Sequence, residues 1–146
     1  MSRKLTLQYT AGWKYQVVSD LTWKILTPMK FVKPTHNRYY RLWNDGVDWY
    51  ITIYCGCCWD GPTWFPDFEW MMFASLIHDV LHWLIAQGCI DETDNDAIDA
   101  ELACIIRVQK CRFVGLRSWY VERATNRVNQ RAGEEKKVHE LVLEIN

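Results

Sequence analysis

The pattern of hydrophobic and polar positions changes period about halfway along the chain. From Leu5, "LTLQYTAGWKYQVV" alternates loosely, "LTWKIL" from Leu21 alternates more clearly, and "VDWYITIY" follows the turn signal Asn44-Asp45-Gly46. Pro28, Pro34 and the polar "KPTHNR" cut this half into short strands joined by loops rather than into separate domains. Residues of about 5–59 therefore predict an antiparallel, β-rich half.

Beyond the loop "CGCCWDGPTWFPD", apolar residues recur every three or four positions. Asp67 is a good N-cap and Gly88 a good stop, so a helix is expected over about 67–87. Trp70, Phe73, Ala74, Ile77, Leu81 and Leu84 form its apolar stripe. Ser75, His78, Asp79 and His82 form a second stripe beside it, which places both histidines on one face.

A second helix fits about 93–110, with the acidic "DETDNDAID" suited to its N-terminus. Asp99 shares a face with Leu102, Ala103 and Ile106, which is expected to point inward, so its carboxylate needs a hydrogen-bond partner or a cation. The short connection between the two helices makes them antiparallel neighbours and brings Asp99 opposite His78. A third helix, amphipathic and basic on its outer face, is expected over about 116–131. The tail "VHELVLEIN" alternates weakly and suits a strand added to this sheet or to another chain. Together these elements predict one α+β domain over residues 1–146, with a β-rich first half, three helices and an antiparallel His–Asp helix pair.

Composition narrows the partners. Seventeen basic against eighteen acidic residues leave a net charge of −1, which removes the main electrostatic reason to expect a nucleic acid. The opening "MSRKLTLQYT" lacks the apolar stretch of a secretory signal, and no apolar run reaches membrane-spanning length. Six cysteines lack the paired spacing of a structural zinc site and read as small thiols kept reduced in a cytoplasm. Nine tryptophans fall mostly in the first half, where they serve a core of large rings or a binding surface.

The chemistry concentrates in "SLIHDVLHW", where His78, Asp79 and His82 interrupt an otherwise apolar helix. Four readings are open. In the first, Asp99 orients His78 as a general base while Asp79 holds a hard cation, which describes an esterase. In the second, His78 and His82 bind a transition metal with a carboxylate as third ligand. In the third a buried His–Asp pair joins two helices, and in the fourth Asp79 and His82 are the helix's solvated edge.

Four stretches carry a family resemblance: "YTAGWKYQVVSD", "WDGPTWFPDFEWMMFASLIHDVLHWLI", "AIDAELACII" and "GLRSWYVERATNRV". In that order they resemble a family of small uncharacterised proteins of tailed bacteriophages and prophages. The resemblance implies a virion component or an accessory protein in the infected bacterium's cytoplasm, partnered by other phage proteins or by itself. The pair of helices is also distantly similar to phospholipases of the A-two type. Carried across, that likeness implies His78 as general base, Asp99 as its orienting carboxylate and Asp79 as a calcium ligand. The loop around Trp59, Asp60 and Gly61 would supply further oxygens, and membrane contact would follow only with that activity. This chain departs from the phospholipase pattern in having only Gly56 and Gly61 in the loop, no cysteine pair before His78, and His82 in place of a tyrosine. The expected role is therefore binding or structural on a phospholipase-like scaffold, with calcium-dependent ester hydrolysis as the alternative.

Overall fold

The alternation of the first half resolves into two antiparallel sheets. A computed structural model describes residues 3–10, 15–61, 69–109 and 138–145. The strands are β1 (Arg3–Thr10), β2 (Tyr15–Val17), β3 (Leu21–Lys24), β4 (Thr35–His36), β5 (Tyr40–Asn44), β6 (Trp49–Ile53) and β7 (Cys58–Trp59). They are followed by helices α1 (Glu69–Ala86) and α2 (Asn95–Val108) and by the strand β8 (Val138–Ile145). One sheet has the order β7-β2-β1-β8 and the other β3-β6-β5-β4.

Each sheet turns its apolar alternate residues inward, as period-two patterning requires. Leu7, Tyr9, Tyr15, Val17 and Trp59 are buried from the first sheet, and Leu21, Trp23, Tyr40, Leu42, Ile51 and Ile53 from the second. All belong to one core cluster with α1 and α2. The expected turn at Asn44-Asp45-Gly46 joins β5 to β6. Gly46 takes φ 100° there, and the Asp45 carboxylate accepts from the backbone N–H groups of Val47 and Asp48. The tail joins this chain's own sheet: β8 pairs with β1 from Arg3↔Ile145 to Thr10↔Val138.

The expected start of the first helix near Asp67 lies outside the described residues. Its end follows the expected signal, since Gly88 at φ 73° lets its own N–H reach Ile85 O and that of Cys89 reach Leu84 O. From Met71 to Ile77 every residue of α1 is buried, as are Val80, Leu81 and Leu84, so the helix is wrapped by protein on most of its circumference. His78, Asp79, His82 and Trp83 form its half-exposed side.

The connection to α2 is a 3-10 turn, Glu92–Asp94, capped by Asp91, which accepts from Thr93 N at 2.9 Å. The second helix thus starts at Asn95, two residues later than expected. Its inward face also differs. Ile98, Glu101 and Ile105 are buried, whereas Asp99 and Ala103 are exposed and Leu102 and Ile106 are half-buried. The inward face centres on Ile98, Glu101 and Ile105 because three donors converge on the Glu101 carboxylate, and Leu102 and Ile106 pack at its margin. Two helices are described, and the third expected helix, about 116–131, lies outside the described residues.

Candidate functional site

The polar groups of α1 lie on its half-exposed side, and α2 packs against the helix. Spacing on α1 places His78, Asp79 and His82 within little more than one turn of each other. The loop back through Gly88 brings Asp99, in the second turn of α2, against them. His78 Nε2 lies 2.9 Å from Asp99 Oδ1, and His82 Nε2 lies 3.3 Å from the same His78 nitrogen. On the other side of the ring, His78 Nδ1 is 3.9 Å from Asp79 Oδ1, too far for a direct hydrogen bond but close enough for charge attraction.

The three expected residues His78, Asp79 and Asp99 are thus brought together, and His82 joins them. The pair is open to solvent: the side chains of His78 and Asp99 are 25% and 70% exposed. An exposed ion pair of this kind contributes at most about 1 kcal/mol to stability, which weakens the reading of a sealed pair joining two helices.

The neighbouring Asp79 carboxylate raises the His78 pKa above its ordinary 6.5, and burial works against this while Asp99 adds to it. Burial lowers the His82 pKa, and the charge on His78 lowers it further. The two rings therefore differ in basicity, with the proton favouring His78.

Ser75, expected on the same polar stripe, does not join this group. It is buried, accepts from Trp59 Nε1 at 3.1 Å and donates to Met72 O at 2.9 Å. Trp59 itself sits in β7 with its ring among Tyr9 and Tyr15, at centroid distances of 5.8 and 5.4 Å. Gly61 is buried with φ 81°, and Asp60 is exposed.

Calcium takes six to eight oxygen ligands; among the described residues, the groups near Asp79 include the His78 ring and the Cys57 thiol, whose pKa responds to the Asp79 charge. Trp59 offers its side chain to the core, and its backbone pairs with Tyr15 of β2. The donor set that does converge, two imidazoles and one carboxylate, is rich in nitrogen.

A cleft of about 510 Å³ opens one helical turn beyond Asp79, lined among others by Tyr39, Tyr40, Cys57, Cys58, Trp83 and Gln87. Gln87 donates to the Tyr40 hydroxyl, and the Tyr40 and Trp83 rings lie 5.8 Å apart. Burial, with smaller contributions from Cys58 and Asp79, pushes the Cys57 thiol up to about 12. Since the thiolate is the nucleophile, Cys57 should resist iodoacetamide at about pH 8 while the exposed Cys55 and Cys58 react. Peptide mass spectrometry after labelling reads this directly, and equal labelling of all three would contradict the burial argument.

The buried group that sequence reasoning missed is Glu101. It is fully buried and accepts from Trp23 Nε1 at 2.8 Å, Leu26 N at 2.9 Å and Thr27 N at 2.7 Å. Its signal was available: Ile98, Glu101 and Ile105 fall at helical spacing, with a charged residue at the centre of an apolar stripe.

Compared with known proteins, the chain matches no family model, no curated protein and no solved structure. Among the described residues, no helix is long and apolar enough to cross a membrane.

Proposed function

We propose that the face between α1 and α2 hydrolyses carboxylic esters with apolar substituents, phospholipids among them, with His78 as general base. The observation that supports this best is the open His78–Asp99 pair at 2.9 Å; an aromatic-lined cleft begins at Trp83, one turn along α1 from the neighbouring Asp79. Asp99 accepts a hydrogen bond from Nε2–H and fixes the tautomer, so Nδ1 is left to take a proton from water attacking the ester carbonyl and to return it to the alkoxide as the acyl C–O bond breaks, releasing acid and alcohol. The cleft beyond Asp79 holds the apolar substituent. Calcium has no step in this scheme. The setting, an accessory or virion-associated protein of a phage or prophage, rests on the sequence resemblance. A second reading keeps the cleft as the working part in a purely binding or structural role, supported by its aromatic lining.

Hydrolysis of p-nitrophenyl butyrate and of phosphatidylcholine vesicles, each with and without calcium, separates these readings. His78→Ala should lower kcat/KM by about 10²- to 10⁴-fold. Asp99→Asn should lower it while changing stability by no more than about 1 kcal/mol. Because Asp79 raises the His78 pKa, activity should rise with pH through a value above 6.5, and Asp79→Asn should move that limb downward. Wild-type protein that cleaves neither substrate under any of these conditions, yet binds an apolar ester with a change in tryptophan fluorescence, would leave the binding role standing instead.

A further inference from the structure

We propose that His78, His82 and Asp99 form a binding site for a divalent transition metal of the zinc class, with Asp79 orienting His78 from its far side. The argument begins with crowding at one atom. His78 Nε2 has both Asp99 Oδ1 at 2.9 Å and His82 Nε2 at 3.3 Å. A ring nitrogen carries one in-plane proton or one lone pair, so it satisfies one of these neighbours and leaves the other facing it uncompensated. A cation among the three atoms satisfies them all.

The spacing suits such an ion. Zinc holds imidazole nitrogens at about 2.0–2.1 Å in tetrahedral geometry, which sets neighbouring ligand atoms roughly 3.3 Å apart. The two histidine nitrogens are separated by 3.3 Å, and all three ligand atoms lie within 4.8 Å of one another. Asp99, 70% exposed, is free to rotate its carboxylate the remaining distance. The two rings meet edge to face at 4.5 Å and 73°. Their positions four apart on one helix fix this approach before any metal arrives.

Two further features select the class of ion. Imidazole nitrogen with a single carboxylate favours zinc, copper, nickel or cobalt over calcium or magnesium, which prefer oxygen. A metal-bound histidine normally donates its remaining ring N–H to a carboxylate, and Asp79 stands beside His78 Nδ1 at 3.9 Å. Solvent supplies the fourth ligand at this exposed face.

The proposal goes beyond ester hydrolysis and does not depend on it. A metal on Nε2 takes the place of the proton shared with Asp99, so the metal-bound and general-base states exclude each other.

The test titrates the full chain with zinc chloride or cobalt chloride alone, by calorimetry and by cobalt absorption. The expected result is one metal per chain, a cobalt spectrum without a thiolate charge-transfer band, and a higher melting temperature with zinc. His82→Ala and Asp99→Asn, both at partly exposed positions, should fold as the wild type does and lose the binding. Asp79→Asn should weaken it by about 10- to 100-fold. Absence of binding, binding retained in both ligand variants, or a thiolate band would each overturn the proposal. Failure of ester hydrolysis bears only on the preceding reading.

Discussion

Replacing Glu101 by alanine should lower stability by about 2–4 kcal/mol, the loss of three hydrogen bonds to one buried acceptor. For a chain of this length that corresponds to a melting temperature lower by roughly 5–15 °C. The carboxylate joins α2 to the segment after β3 by accepting from the Trp23 indole and from the backbone of Leu26 and Thr27. Its removal strands a buried indole N–H and frees the chain where it leaves the sheet. Glu101→Gln separates shape from bonding. Its Oε1 keeps the bonds from Trp23 and Leu26, while its amide presents N–H to the N–H of Thr27, so a loss of about 1–2 kcal/mol is expected. Urea unfolding of the three proteins measures both differences. A change below about 1 kcal/mol for the alanine variant would mean that water replaces the carboxylate at little cost.

The second large effect is expected at Trp59. Trp59→Ala should cost about 3–5 kcal/mol, because it opens a cavity at the centre of the Tyr9–Tyr15–Trp59 cluster. Trp59→Phe keeps most of the ring and loses the bond to Ser75 Oγ, so a penalty of roughly half that or less should follow. Thermal melts followed by circular dichroism distinguish packing from hydrogen bonding here. If the phenylalanine variant proved as unstable as the alanine one, the hydrogen bond to Ser75, not the ring packing, would carry the effect.

Much of the arrangement was legible in the sequence where one physical rule acted alone. Period-two alternation gave the clear strands β3 and β6, and Gly88 marked the end of α1. Helical spacing and a short connection were enough to place Asp99 against His78. The pattern was harder to read where two rules competed. Asp99 and Glu101 are both acidic residues of one amphipathic helix, and the apolar neighbours of each suggest a buried face. What separates them is the tertiary partner: Trp23, Leu26 and Thr27 converge on Glu101, and no periodicity within α2 reveals donors that lie in another element. Ser75 misled for the same reason, since its place beside His78 on a helical projection says nothing about the Trp59 indole that claims it. The crowding of His82 on His78 was legible as i, i+4 spacing, but the shared nitrogen required coordinates.

The pairing of β1 with β8 bears on how the molecule is made. Gln8 donates to Glu140 across 132 residues, so the first sheet gains β8 only after residues 138–145 have been synthesised, long after β1. Contacts of such long range slow folding. Until the late strand arrives, the flank of β1 that it covers presents open backbone donors and acceptors to any other extended segment nearby. Shortening the chain before Val138 should therefore promote clumping during synthesis even though the helix pair is left intact.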